Sequence, residues 1–166
     1  DVILDRRPET IEKFFGRHID HHLNDEEKIR ALKLLEMQYN ALLMYTSCGW
    51  FFDDISGIET VQIMKYAGRA IQLAKEVCGA DLEQAFVKFL ENAPSNHPEV
   101  KNGAQVYKSM IQPSVVDLLR VAAHYAMTSL YEEYPAQAKM YCYTVKSDTY
   151  DLKEAGRLRL AVDSGR

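Results

Sequence analysis

The chain lacks the features that would place it in a bilayer or on nucleic acid. No apolar run in its 166 residues approaches the roughly 20 needed to span a membrane. It also lacks an excess of positive charge. Its 20 Lys and Arg against 24 Asp and Glu leave a net charge of −4. A phosphate backbone calls for a basic face, so nucleic acid is not an expected partner. The sequence opens at Asp1 with no initiator Met and no charged-then-apolar leader, so no targeting segment is readable. Cysteine is scarce: Cys48, Cys78 and Cys142 are odd in number and far apart, with no C-x-x-C pair and no zinc spacing. Each has apolar neighbours, where a free thiol acts as a small hydrophobe, and a reduced, cytoplasmic protein is expected. A Gly-rich phosphate loop, a nucleophile elbow and a dinucleotide fingerprint are all missing, and no cofactor is expected.

What remains is ordinary globular material, 47% apolar and 27% charged, long enough to bury a core. Pro8 followed by Glu9 reads as a helix start, because Pro loses nothing where the N–H has no partner. This helix is expected to reach Leu23. Asn24 then caps a second helix with Asp25, Glu26 and Glu27 in its first turn. From Leu34 to Tyr45 that helix is apolar almost all round, a pattern that belongs in the middle of a bundle. Glu36 sits inside the stretch and needs a partner. A third helix, Glu59 to Cys78, gathers Ile63, Met64, Ala67, Ala70, Ile71, Ala74 and Val77 on one face and stops at Gly79. Asp81 is expected to cap a short helix carrying Leu82, Phe86, Phe89 and Leu90. The stretch 92–103 has loop chemistry throughout. Helix resumes near Ala104, and Pro113 begins another, reaching about Glu133. Val115, Leu118, Leu119, Ala122, Tyr125, Ala126 and Leu130 form its core side. Beyond Met140 the period becomes two, with Tyr141, Tyr143 and Val145, then Leu158, Leu160 and Val162, giving two short strands. The fold class expected is mainly α: a bundle of five or six helices over residues 1–139. Residues 140–166 would be a short β hairpin that starts a truncated β-rich segment, the whole cut from a larger protein.

Three constellations carry candidate chemistry. The connection from Tyr45 to Glu59 holds the only Trp, with Trp50, Phe51 and Phe52 followed by Asp53 and Asp54. The rings either plug the end of the bundle or offer a flat apolar face to a sugar, whose hydroxyls the carboxylates accept. Adjacent carboxylates are badly spaced for glycoside hydrolysis, which needs two of them roughly 5–10 Å apart across a bond, so no catalytic residue is assigned. His18, His21 and His22 form H-x-x-H-H. His18 and His22, four apart, could share a helix face toward a metal, but without a third ligand a solvated helix end is the favoured reading, and no metal is assigned. Asp117, Arg120 and His124 share one stripe, either as an exposed ion-pair row or as the polar wall of a cleft.

The run Leu35-Glu-Met-Gln-Tyr-Asn-Ala-Leu-Leu-Met-Tyr-Thr-Ser-Cys-Gly-Trp-Phe-Phe-Asp-Asp-Ile-Ser-Gly-Ile-Glu-Thr60 resembles a helical domain of glycoside hydrolase family 57-like (alpha-amylase/alpha-mannosidase-like) proteins. That domain lies downstream of the catalytic barrel and is itself of unassigned function. The resemblance continues through Pro94-Ser-Asn-His-Pro98, Val116-Asp-Leu-Leu-Arg-Val-Ala-Ala-His-Tyr-Ala126 and Gly156-Arg-Leu-Arg-Leu-Ala161. It implies a parent acting on α-linked glucans, with an incomplete (β/α) barrel carrying the catalytic Glu and Asp, then a helical bundle, then β-rich domains. Ser47-Cys-Gly-Trp-Phe-Phe-Asp-Asp54 is similar in kind to the family's aromatic and acidic bundle segment that approaches the substrate, and departs from it in placing Cys-Gly before the Trp. The implied role is an accessory wall of an α-glucan cleft, with Trp50, Phe51, Asp53 and Asp54 facing the oligosaccharide. The shared stripe adds Asp117, Arg120 and His124 as an inference of its own. The partners would be the upstream barrel and the downstream β domain of the same chain, and these residues alone would have no hydrolase activity. The alternative is a purely structural bundle that packs barrel against β domains, in which Trp50 is buried.

Overall fold

The capping signals in the sequence set most of the helix boundaries. The computed structural model describes residues 2–140 and 143–165, apart from the side chains of Lys139 and Asp163. Six α-helices precede a small antiparallel sheet, so the chain is mainly α. It divides into two compact units, Asp1–Val115 and Val116–Arg166.

In the first unit, α1 (Pro8–His18) starts with Pro8 in its first turn and ends at an extended Ile19 (φ −126°, ψ 125°). That is five residues short of Leu23. His18, Ile19, Asp20, His21 and His22 are all modest helix formers, and nothing in the run offsets the cost of continuing. α2 (Asp25–Leu43) opens on a full capping box: Asn24 accepts from the Glu27 amide, and the Glu27 carboxylate accepts from the Asn24 amide, both at 2.9 Å. α3 (Ile58–Cys78) ends where Gly79 takes φ 69°, a left-handed conformation that glycine adopts at no steric cost. Glu36 of α2 has two cationic partners, Arg69 of α3 at 2.7 Å and Arg6 at 3.0 Å.

The apolar stretch of α2 is not enclosed as its composition suggests. One side lies on α3 and Asn40 is the helix's one buried residue, while Leu34, Leu42 and Tyr45 are exposed. α3 supplies the centre instead. Ile63, Met64, Ala67, Ala70 and Ala74 of its expected face are buried, Ile71 and Val77 are half-buried, and Val61, Gly68 and a fully buried Leu73 (0% exposed) widen the face. Val61 and Met64 join Val87, Ala104, Val106, Tyr107 and Ile111 in one cluster.

α4 (Glu83–Leu90) begins after Leu82, which supplies no side-chain cap, and the Asp81 carboxylate pairs with Lys75 at 2.8 Å. Leu82 and Phe89 are exposed, and Val87 is the buried residue of this helix. A loop closed by a bridge between Pro94 and Asn102 leads into α5 (Gly103–Val106), capped by Asn102. The helix continues as a π turn, Tyr107–Ile111, and a 3₁₀ turn, Gln112–Ser114. Pro113 therefore lies in a closing turn. It does not start a long helix.

In the second unit, α6 (Leu118–Thr128) is capped by Asp117, whose carboxylate accepts the Arg120 amide at 2.8 Å. Its inward residues are Val121 and Tyr125, clustered with Ala138 and Met140 of β1. Leu118 and Leu119, expected in the core, are 72% and 77% exposed; Leu118 shares the face of Val121 and Tyr125 but sits in the first turn of α6, outside the cluster that those two form with β1. The sheet has three strands in the order β1 (Gln137–Met140), β2 (Tyr143–Ala155), β3 (Leu158–Gly165). The expected hairpin is β2–β3, joined by a two-residue turn in which Gly156 takes φ 62°. β1 is additional, and α6 packs with this sheet, which places both in the compact unit that starts at Val116.

Tyr141 and Cys142 lie outside the described residues. Cys48 and Cys78 are free and exposed, unlike the buried thiols that their apolar neighbours suggest. No helix among the described residues is long and apolar enough to cross a membrane.

Candidate functional site

The segment after α2 is built to turn sharply and stay in place. The Thr46 hydroxyl donates to the Leu43 carbonyl at 2.9 Å, and a 3₁₀ turn follows at Ser47–Gly49. Gly49 lies against α3 so closely that a Cβ there would come 3.3 Å from Ile63 Cγ2. The Trp50 and Phe51 amides both donate to the Ser47 carbonyl, at 3.0 and 2.8 Å. With the backbone turned in this way, Trp50 is 74% exposed and Phe51 71%. Phe52 is also exposed and meets Phe51 edge-on, ring centroids 5.3 Å apart. The rings therefore do not plug the bundle end.

The two aspartates have different positions. Asp53 has an exposed side chain, and its backbone carbonyl accepts Asn96 Nδ2 at 2.6 Å. Asp54 is half-buried and its carboxylate is engaged on both oxygens. Oδ1 accepts the Ser56 amide at 2.7 Å and the Ser56 hydroxyl. Oδ2 accepts the Ser95 hydroxyl at 3.0 Å and the Asn96 amide at 2.6 Å. The Ser56 hydroxyl and amide chiefly hold this carboxyl well below the usual carboxylate range, burial opposes them, and the Asn96 amide and Ser95 hydroxyl add smaller contributions in the same direction as Ser56. Ser95 and Asn96 carry no role in the sequence reading. The signal for them was Pro94-Ser-Asn-His-Pro98, where two prolines bracket residues whose amides and hydroxyls favour turns.

The other candidates are distributed differently. Asp117 precedes α6 as its cap, and Arg120 Nη1 stands 3.8 Å from Asp117 Oδ2. Arg120 is exposed and His124 half-buried, so the expected stripe survives from Arg120 to His124 with Asp117 at its head. These three belong to the second unit, and Trp50, Phe51, Asp53 and Asp54 to the first. His18 is the last residue of α1 while His21 and His22 lie beyond it, so the i,i+4 helix geometry proposed for metal binding is absent. Among the described residues no group of three or more His, Cys, Asp or Glu could hold a metal ion. The second unit also has a mainly apolar groove of about 760 Å³, lined by Leu118, Val121, Tyr125, Tyr143, Val145 and Val162 among others.

Comparison with known proteins gives one result at the level of the family. No curated protein and no solved structure matches the chain. A family model does match, over residues 1–166, and the chain belongs to the family described as "Domain of unknown function (DUF3536)".

Proposed function

We propose that this domain lines an oligosaccharide cleft in a larger protein of the glycoside hydrolase family 57 kind, with Trp50 as the stacking platform. The observation that carries the proposal is the outward display of Trp50 and Phe51 on an anchored turn. Exposed aromatic rings are costly unless something covers them, and a sugar ring presents a matching apolar face with hydroxyls at its rim. The exposed Asp53 side chain is close in sequence to accept such hydroxyls. Asp54, its acceptor sites engaged, supports the segment and leaves the ligand contact to its neighbours. Arg120 and His124 offer a further polar surface on the second unit, and Asp117 contributes by capping the helix that carries them.

The alternative, a purely structural bundle that packs barrel against β domains, would cover Trp50 with protein instead of sugar, and the titration below separates the two. The chemistry itself would be supplied by an upstream barrel, so the 166-residue chain is expected to show no turnover of an α-glucan. Because Trp50 is the only tryptophan, titrating the chain with maltoheptaose should change its emission directly. Trp50→Ala, followed by calorimetry, should weaken binding about ten-fold or more, the usual loss for a central aromatic contact. Emission unaltered by saturating maltoheptaose, with equal affinities for both proteins, would refute the proposal.

A further inference from the structure

Asp54 collects donors from two places that are distant in sequence. Ser56 is two residues away, while Ser95 and Asn96 are 41 and 42 residues away in the loop before α5. A carboxylate offers about four acceptor positions, and the two groups of Ser56, the Ser95 hydroxyl and the Asn96 amide account for them. Asn96 then closes a second bond in the same direction, from its side-chain amide to the Asp53 carbonyl at 2.6 Å. His97 follows, its amide donating to the Ser95 hydroxyl at 3.0 Å, so the loop is braced on its own side as well. At the opposite end of the aromatic segment, Gly49 rests on Ile63 of α3. The span from Trp50 to Asp53 is thus four residues long and held at both ends.

We infer that Asp54 is a positioning residue, latching the aromatic segment to the 92–103 loop so that Trp50 and Phe51 are held in one outward presentation. Such rings do not order themselves, since burial holds neither of them. The ordering must come from the backbone, and the charge-assisted bonds of Asp54 are the strongest ones available to it. A face ordered during folding does not lose that freedom again when it binds, which is the advantage of preorganisation. The inference requires no ligand: the maltoheptaose titration decides the reading above, and the following measurement decides this one.

The test is Asp54→Ala in the 166-residue chain, with Ser95→Ala as a milder variant that removes one donor. Time-resolved anisotropy of Trp50 and amide exchange by NMR are read together. In Asp54→Ala the Ser56 and Asn96 amides should exchange about ten-fold faster, as expected when a bond to a charged acceptor is lost. The amplitude of sub-nanosecond depolarisation of Trp50 should rise about two-fold. Ser95→Ala should move both readouts in the same direction by less, and amides around Leu73 of α3 should keep their rates in both variants. Two results would overturn the inference: a Trp50 signal that stays fixed while the Asn96 amide opens, or α3 amides that speed up alongside it in both variants.

Discussion

Tyr107 shows most directly how burial alters a single group. The ring is 1% exposed and its hydroxyl donates to Glu83 at 3.3 Å. Burial, then the nearby Glu83 charge and the bond to it, push the phenol up to about 12 from its ordinary value near 10. A group whose folded pKa is raised contributes stability that is complete below the unfolded pKa. That contribution is lost as pH climbs through the folded value. Stability of the first unit should therefore fall between about pH 10 and 12, and the denaturation midpoint of Tyr107→Phe should be flatter across that window. Asp54 has the opposite sign. Its carboxyl is depressed, so its contribution holds above the usual Asp range near pH 4 and fades only as pH falls below it. None of this was readable from sequence, because Asp54 finds Ser95 and Asn96 by long-range folding while its own neighbourhood suggests a ligand contact.

At the scale of elements, two glycines in helices should respond oppositely to the same change. A Cβ at Gly68 would stand 3.0 Å from Ile111 Cγ2 and 3.4 Å from the Tyr107 hydroxyl, whereas Gly16 has nothing within 4 Å. Gly16→Ala should stabilise α1 by roughly 0.5–1 kcal/mol, the ordinary gain from restricting the unfolded chain. Gly68→Ala brings the same gain but crowds a core where overpacking costs about 1–3 kcal/mol, so it should lower stability by about 1 kcal/mol. Urea denaturation of the two variants measures both signs. The elements also show which parts of the fold were legible. Asn24, Gly79 and Pro8 marked their helix ends because capping is local chemistry. Leu118 and Leu119 were misplaced because the cluster that α6 forms with β1 begins only at Val121, which periodicity within the helix does not reveal. The aromatic segment was recognisable by composition, but its outward display depends on Gly49 meeting Ile63 and Asp54 meeting a distant loop.

At the scale of the molecule, the two units have unequal interiors. The first is organised around Leu73, Tyr107, Ile111 and Val106, all essentially closed to solvent. The second has Val121, Tyr125, Ala138 and Met140 as its buried apolar cluster, while Leu158, Leu160 and Val162 of β3 remain exposed. Local stability follows buried apolar contact. Hydrogen exchange should therefore find the amides of α3 near Leu73 slower than those of β2 and β3 by at least about ten-fold, a difference of roughly 1.4 kcal/mol in opening free energy. Equal protection in the two units would mean that the sheet has support beyond its own cluster. The residue pattern separated the helices from the β2–β3 hairpin but did not show β1, and helical periodicity does not say which layer a helix such as α6 packs on.

The bare side of α2 has a colloidal consequence. Leu34, Leu42 and Tyr45 are exposed on or just beyond this helix, and Trp50 and Phe51 follow within a few residues. With a net charge of only −4, electrostatic repulsion between molecules is weak, and exposed apolar side chains such as these favour close approach. Sulfate, which favours burial of apolar surface, should strengthen the tendency of this region to become covered. One helix and the turn after it therefore bear on dispersal of the chain in concentrated solution, and a surface suited to meeting a partner is also one prone to self-association.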